Sequence, residues 1–322
     1  MPLSRKGIQL AVAEAAGART LVRKAPAADA GAGPAPSSPS PCRRGADGSA
    51  RRSGPALGLG DRLALGAVGV VVVLAIVGPW LAPYVATVPS GEAFLPPLSD
   101  GHLLGTDAIG MDILSRVLVG MRSSLGAAVV VTLAAAAFGT VIGVLAGFRG
   151  GWLDSALMRV TDLFLAVPAT IIAMVMAAAL GQTLGSAIIG IAVVWWPLYA
   201  RLVRGEVRRV VALPHVTAAQ VSGVKGWRLL TRHVAPAVSP TVAVTASIDI
   251  GGVIMTLAAL SFLGLGSPAP TPELGRMAAD GMRYLLSSWW IPVMPSLAIT
   301  VMAFVFNYAG DAWRTLLRGR GV

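Results

Sequence analysis

The sequence contains few of the residues that build disulfides, metal sites and soluble surfaces. Its 322 residues include one cysteine, Cys42, and three histidines. A single cysteine excludes a disulfide within the chain, and the histidines lack the paired spacing typical of a metal site. Only 13% of the residues are charged, whereas about 25% is usual in soluble domains. This scarcity of charge excludes an ordinary soluble domain.

Hydrophobic residues are abundant instead. They make up 55% of the chain, and the mean hydropathy is +0.72. This composition is typical of a polytopic membrane protein. The formal net charge of +11 also raises the hypothesis of nucleic-acid binding. Because the basic residues lie in the gaps between apolar runs, membrane topology explains the charge better, and we expect no nucleic-acid partner.

The first sixty residues have a different composition from the rest. Residues 1–60 are rich in Ala, Pro, Gly, Ser and Arg, and include the run PAPSSPSP at residues 34–41. Apolar burial there cannot offset the chain entropy, so we predict a disordered, basic, cytoplasmic tail. No apolar core follows the early basic residues closely enough for a cleavable signal. The tail either contacts anionic membrane lipid or is a plain solvated leader.

Six apolar segments predict an all-α membrane protein with six transmembrane helices. The longest uncharged run, residues 163–200, would extend about 57 Å as one helix, so it is predicted to cross the membrane twice, with a hairpin at residues 181–186. Pro79 and Pro83 are predicted to end the first crossing. The predicted helices lie at about 63–84, 123–148, 161–181, 184–203, 238–265 and 287–311.

The distribution of Lys and Arg predicts the orientation. Residues 1–62 carry ten of them, residues 201–237 carry seven and the segment after Gly310 carries three. The two long loops on the other side carry two each. The positive-inside rule therefore predicts that both termini and the loop between helices 4 and 5 are cytoplasmic.

This central loop is too polar to cross a bilayer and contains two helix-forming pieces. The basic end of the fourth crossing is predicted to stop at Pro214. A short helix is expected over residues 217–222, ended by Gly223, and a second over residues 226–232. Two brief helices at a turn are suited to a groove on a cytoplasmic partner, whose motion would then move the bundle. The alternative is an ordinary cytosolic connector.

The loop resembles a known motif. Thr217-Ala218-Ala219, followed by Gly223 and by the ending RHVAP at residues 232–236, resembles the EAA loop of importer-type ABC transporter permeases. Thr217 stands where that family usually has Glu, and we expect its hydroxyl to cap the helix start. The predicted ATPase-coupling residues are Thr217, Ala218, Ala219, Gly223, Lys225, Trp227 and Pro236.

Other segments resemble one branch of this family. HLLGTD at residues 102–107, with GMDILSR at residues 110–116, is similar to the signature that precedes the second crossing in C-type permeases for dipeptides, oligopeptides and nickel. Leu103 and Met111 replace the Pro and Arg of that signature. Residues 150–162 and 260–281 resemble the same family's cytosolic turn, fifth crossing and outer loop.

The resemblance implies a bacterial cytoplasmic-membrane permease that works in a complex. Its implied partners are a homologous B-type permease, two cytoplasmic ATPases and an extracytoplasmic solute-binding protein. The chain has no GxxxxGK[ST] phosphate loop, so we predict a non-catalytic subunit without a cofactor, with ATP and Mg bound by the partner ATPases. This hypothesis predicts no transport without ATPases, and impaired coupling when Gly223 is made bulky.

Four charged residues outside the loop are candidate functional residues. Asp249 lies within the fifth apolar run, where an ionisable group is costly unless it faces water or a partner. It either attracts the free amine of a peptide along the translocation pathway or bonds a neighbouring helix or the partner permease. Asp107, Asp112 and Arg116 precede the second crossing. They either form an ion pair there or contact the binding protein.

Several functions remain open from the sequence. The favoured one is import of dipeptides or short oligopeptides, with nickel or glutathione import in the same family as the alternative. An ion-coupled secondary transporter would require several intramembrane ionisable groups, and only Asp249 qualifies. A membrane-bound enzyme is weakly supported, because no His, Ser or carboxylate cluster converges.

Overall fold

The described part of the chain is a bundle of long helices joined by loops. The computed structural model describes residues 59–99, 101–224 and 226–319, so the predicted tail over residues 1–60 lies almost entirely outside the described residues. Within the described residues there is no β-strand, which agrees with the predicted all-α class. The α-helices are α1 Leu59–Leu81, α2 Ile113–Arg149, α3 Gly151–Ala166, α4 Ala169–Leu180, α5 Leu184–Val211, α6 Pro214–Val221, α7 Gly226–Leu229, α8 Ala235–Phe262, α9 Leu274–Gly281 and α10 Trp290–Gly319.

Five helical segments are long and apolar enough to cross a membrane. They are α1, α2, α5, the continuous segment Gly226–Phe262 and α10. The pair α3 and α4 passes the same test only when taken together, which gives up to six crossings. The six-crossing prediction is therefore compatible with the fold, and one crossing is irregular.

This irregular crossing corrects the prediction of one straight helix over residues 161–181. The chain bends by 85° between α3 and α4. Val167 takes an extended conformation, with φ −101° and ψ 137°, because the ring of Pro168 disfavours the helical region for the residue before it. At 1.5 Å per residue, α4 is about 18 Å long, which is too short to span the hydrocarbon core alone.

Other helix ends differ from the predicted ones because charged and proline residues are accommodated inside helices. The second crossing begins at Ile113 rather than at residue 123, with Asp112 as its N-cap. Arg122 lies within this helix, with its guanidinium 5.7 Å from the Trp80 ring. Pro79 lies inside α1, which ends at Leu81. The hairpin before α5 is confirmed, since Thr183 caps that helix.

The fifth crossing has no break at Pro236. A π-helical turn, Leu230–Val234, joins α7 to α8 without interruption. The N–H of Ala235 donates to the carbonyl of Leu230, one residue further back than in an α-helix. Pro236 follows directly after this π-turn in the first turn of α8, so the irregular turn rather than a helix end accommodates the proline.

Helices α2 and α5 pack closely along a row of glycines. Gly139, Gly143 and Gly147 recur every fourth residue on the face of α2 that touches α5. A Cβ atom on Gly143 would lie 2.6 Å from the carbonyl oxygen of Ala200, and one on Gly147 would lie 2.9 Å from Cβ of Val207. Small residues at this spacing let helices in a membrane approach closely.

The loops gather at two opposite ends of the bundle. One end, which we call the far end, carries the loops of residues 82–112 and 263–289. There the indole N–H of Trp290 donates to the carbonyl of Thr106 at 3.3 Å. Phe94 and Tyr284 meet edge to face there, with centroids 5.1 Å apart. The opposite end, called the loop end, carries the loop of residues 212–234 and the start of α3.

Candidate functional site

The predicted coupling helix is present as α6 and ends in a defined turn. Pro214 occupies its first turn, and Gly223 follows its C-cap with φ +88°. The N–H of Val224 donates to the carbonyl of Ala219, and the N–H of Gly223 donates to the carbonyl of Gln220, both at 3.0 Å. This pair of bonds is a Schellman motif, in which glycine is preferred because of the positive φ. The prediction that Gly223 ends the helix is confirmed.

The loop is fixed to the end of α5 by an apolar cluster. Val216, Leu229 and Val234 of the loop and its π-turn are fully or almost fully buried. They pack against valines from the last turns of α5 and from the first turn of α8, namely Val203, Val207, Val210 and Val238. A force on α6 would therefore be passed to α5 and α8, because the contact is tightly packed rather than hinged.

The outer surface of the loop is open to a partner. Thr217 and Ala218 are exposed, Val221 keeps 85% of its surface accessible and Trp227 keeps 76%. Exposed apolar side chains at helix-turn-helix spacing are suited to docking in a groove. Ala219 is half-buried against the apolar cluster. Lys225 lies outside the described residues.

The expected cap by Thr217 is wrong. The N-cap of α6 is Leu213, which makes no side-chain cap bond. Thr217 lies one turn into the helix, and its hydroxyl donates to the carbonyl of Leu213 at 3.3 Å. The helix begins earlier than predicted because Pro214 is well tolerated at its first position.

A buried carboxylate joins α3 to the loop end of α5. Asp154 is 4% exposed. It accepts hydrogen bonds from both Arg204, whose Nη2 lies 2.9 Å from Oδ2, and Arg208. Arg201 makes a further ion pair with Asp162. The basic residues that predict a cytoplasmic loop therefore also hold the bent α3–α4 pair against the helix that carries the loop.

Replacing Asp154 with asparagine is expected to destabilise the bundle. The amide keeps the shape of the side chain but leaves two guanidinium groups without their anion. We expect a loss of about 2 kcal/mol, which lowers the melting temperature by roughly 4–8 °C. Asp162→Asn is the matched control, because both partners of its ion pair are more than half exposed, at 56% and 60%. Thermal unfolding in detergent measures both variants. The control should lose less than about 1 kcal/mol of stability, and equal losses in the two variants would contradict a stabilising role of the Asp154 ion pairs.

The three charged candidates at the far end stabilise the loop before α2. Asp112 is 1% exposed; it accepts from the backbone N–H of Ser115 at 2.8 Å and pairs with His102 at 2.9 Å. Arg116 is also buried and lies 3.8 Å from Asp107. Asp107 is partly accessible and lines a cavity of about 370 Å³. Arg116 lines the same cavity, and Asp107 is the more accessible of the two.

Asp249 lies midway along α8 and faces two aromatic residues of α5. The phenol of Tyr199 and the indole N–H of Trp195 are directed at its carboxylate. These two partners were missed from the sequence, because nothing in the order of residues pairs the two helices. Four-residue spacing of polar side chains along α8 was an available signal, since Thr241 and Thr245 precede Asp249 at that interval.

Comparison with known proteins agrees with this arrangement. Residues 139–320 match the family described as "Binding-protein-dependent transport system inner membrane component". The chain is 40% identical over 247 residues to the probable D,D-dipeptide transport system permease protein DdpC of Escherichia coli K12, covering 77% of this chain and 83% of that protein. It is 35% identical over 254 residues to the dipeptide transport system permease protein DppC of Haemophilus influenzae, covering 77% and 86%.

Nickel transporters are among the similar proteins as well. The nickel transport system permease protein NikC of Escherichia coli K12 is 38% identical over 256 residues, covering 79% of this chain and 91% of that protein. A similar solved structure is the inward-facing MetNI methionine ABC transporter, with TM-score 0.50 and 18% identity, covering 64% of this chain and 95% of that one. The chain belongs to the family of inner-membrane components of binding-protein-dependent transport systems.

Proposed function

We propose that this permease imports dipeptides or short oligopeptides and is driven by ATP through the loop of residues 212–234. As a member of its family, it is a multi-pass protein of the bacterial cytoplasmic membrane and works as a permease within an ABC transport complex rather than as an enzyme. The observation that carries the proposal is the loop itself. Its helix α6 is exposed on one side and packed on the other against both helices that it joins.

The proposed partners follow from this geometry and from the family. Two cytoplasmic ATPases would dock on α6 and hydrolyse ATP with Mg, so this chain needs no cofactor of its own. A homologous permease would supply the other half of the pathway. Lipid would cover the remaining apolar surface, such as that of α1, which is mostly exposed. A solute-binding protein would dock at the far end, beside Asp107. In this proposal both termini and the loop are cytoplasmic, which is the orientation that the positive-inside rule predicts.

Peptide is favoured as the cargo because two of the compared relatives carry dipeptide in their names and because the carboxylate of Asp249 lies midway along the apolar helix α8. The described residues contain no group of three or more His, Cys, Asp or Glu side chains that could hold a metal ion, so nothing in them favours nickel over a peptide. Glutathione is itself a peptide but differs from a dipeptide in size and charge, so it remains the alternative that a competition experiment must separate.

Uptake into proteoliposomes tests the proposal. The complete complex, with its binding protein outside and ATP inside, is expected to accumulate a labelled dipeptide, and nickel or glutathione in excess should not compete. The purified chain without ATPases should move no peptide. Uptake by the chain alone under a proton gradient would instead support a secondary transporter, and competition by nickel or glutathione would identify the alternative cargo.

A further inference from the structure

A line of polar side chains runs along one face of α8. Thr241, Thr245, Asp249 and Thr256 recur at intervals of four and seven residues, which keeps them within one face of a helix with 3.6 residues per turn. Thr245 and Thr256 donate to carbonyls of their own helix, so within this stripe Thr241 and Asp249 are the residues that need a polar neighbour.

Helix α5 provides the neighbour. Near the loop end, the hydroxyl of Thr241 donates to Oε1 of Glu206 at 3.4 Å. Further along, Asp249 faces Tyr199, and a Cβ atom on Gly252 would lie 3.8 Å from the ring of Trp195. The two helices therefore run antiparallel along a polar contact, called the seam, made by Trp195, Tyr199, Glu206, Thr241 and Asp249.

The middle of the seam contains three buried polar atoms that are not satisfied. They are Nε1 of Trp195, the hydroxyl of Tyr199 and Oδ2 of Asp249, which approach one another without reaching normal hydrogen-bond geometry. Unpaired polar groups are rare inside proteins because each one loses its hydration without compensation. An ammonium group could donate to Oδ2 of Asp249 and to the phenol oxygen of Tyr199, while the indole N–H of Trp195, which can only donate, would turn to the same carboxylate.

The chemistry of this site fits an organic cation. The carboxylate supplies a negative charge, and the faces of Trp and Tyr rings attract ammonium groups. A second acid, Glu206, lies on the same seam toward the loop end, where it is already paired with Arg209. One carboxylate is too few for Mg or Ca ions, which require six or more oxygen ligands.

We infer that the seam binds the protonated amino group of the transported peptide at Asp249, between Trp195 and Tyr199. The inference rests on the proposed peptide import. Tyr199 is 0% exposed, so the site is closed in this conformation and opens when the middle parts of α5 and α8 move apart, while the apolar cluster keeps their loop ends together. These are the two helices that the loop of residues 212–234 joins, so movement of that loop acts on both walls of the seam.

The test uses Asp249→Asn in the complete complex, reconstituted with its binding protein. Uptake of a labelled dipeptide is expected to fall at least about tenfold, the usual effect of losing one hydrogen bond to a charged group. ATP hydrolysis stimulated by loaded binding protein should remain near the wild-type rate, because the loop is intact. Asp249→Glu should restore part of the uptake. Ser247→Ala, on the same helix but off the stripe, is the control and should leave uptake unchanged.

The outcomes separate the inference from the proposed function. If the wild-type complex takes up no dipeptide with ATP, both are overturned. If it takes up dipeptide and Asp249→Asn does so equally well, only the inference is overturned. If Asp249→Asn fails to assemble, Tyr199→Phe and Trp195→Phe are tested instead. These variants keep an aromatic ring and remove the phenol hydroxyl and the indole N–H. Reduced uptake with normal ATP hydrolysis in these variants supports the seam, and unchanged uptake in both contradicts it.

Photo-labelling locates the site independently of rates. A dipeptide with a diazirine on its amino-terminal residue is trapped in the complex with vanadate and irradiated. The label is expected on residues 195–199 of α5 or residues 245–252 of α8. A label confined to other helices, or to the partner permease, would overturn the inference.

Discussion

Replacing Gly143 with leucine is expected to prevent the folded bundle from accumulating. This glycine lies at the contact between α2 and α5, where a Cβ atom would meet the carbonyl oxygen of Ala200 at 2.6 Å and Cβ of Val203 at 2.8 Å. A backbone carbonyl cannot turn away as a side-chain tip can, so the helices must separate. Overpacking usually costs about 1–3 kcal/mol even where the surroundings can yield, and here we expect a cost at or above the upper end. That is a large fraction of the roughly 5–15 kcal/mol that stabilises a native protein.

The control for this prediction lies in the same helix. A Cβ atom on Gly126 would have no neighbouring atom within 4 Å, so Gly126→Leu should fold normally. Both variants would be expressed in membranes, extracted in detergent and compared by size-exclusion chromatography with increasing temperature. A monodisperse Gly143→Leu protein with the stability of Gly126→Leu would show that α2 and α5 are not packed as described.

Replacing Ala218 with arginine is expected to abolish transport while the permease itself folds normally. Ala218 is exposed on α6, so the new side chain meets only solvent in the isolated chain. In the proposed groove of an ATPase it would bury a charge without a partner, which typically costs about 3 kcal/mol or more. That cost corresponds to a loss of ATPase affinity of about 100-fold. Co-purification of the ATPase with the permease measures it.

Ala93→Arg is the matched control, because Ala93 is also exposed but lies in the loop region at the far end. It should leave ATPase co-purification unchanged. Equal losses in the two variants would indicate a general effect of the added charge. Full ATPase binding by Ala218→Arg would contradict docking on α6.

The sequence predicted the helical class and the coupling loop because both depend on local features. The polar break between two long apolar runs marks the loop, and a glycine with positive φ is needed to end α6 at Gly223. The bend at Pro168 was also readable, since proline restricts the residue before it. It was missed because the run around it contains no charge. The second crossing was predicted to begin at residue 123 because charged residues precede that position. It begins at Ile113, and Arg116 and Arg122 lie inside α2.

The remainder of the site depends on contacts between distant segments. Asp249 was recognisable alone as a charge within an apolar run, but the roles of Trp195 and Tyr199 follow only from the antiparallel packing of α5 and α8. The hydrogen bonds of Asp154 with Arg204 and Arg208 join side chains that are 50 and 54 positions apart in the sequence. The carboxylate of Asp154 lies in a segment that was noted only for its resemblance to a cytosolic turn. The spacing of Thr241, Thr245 and Asp249 marks one face of α8, but no periodicity within one helix identifies the partner residues on another helix.

Site-directed cross-linking tests the central claim that the ATPase acts on this permease through α6. Cys42 is the only cysteine, so a Cys42→Ser background allows Ala218→Cys and Ala93→Cys to be introduced separately. A short bifunctional reagent is then applied to the assembled complex. We expect Ala218→Cys to cross-link to the ATPase, with a yield that changes when ATP is added, and Ala93→Cys to give no such product. Cross-linking of the ATPase to Ala93→Cys but not to Ala218→Cys would contradict the account.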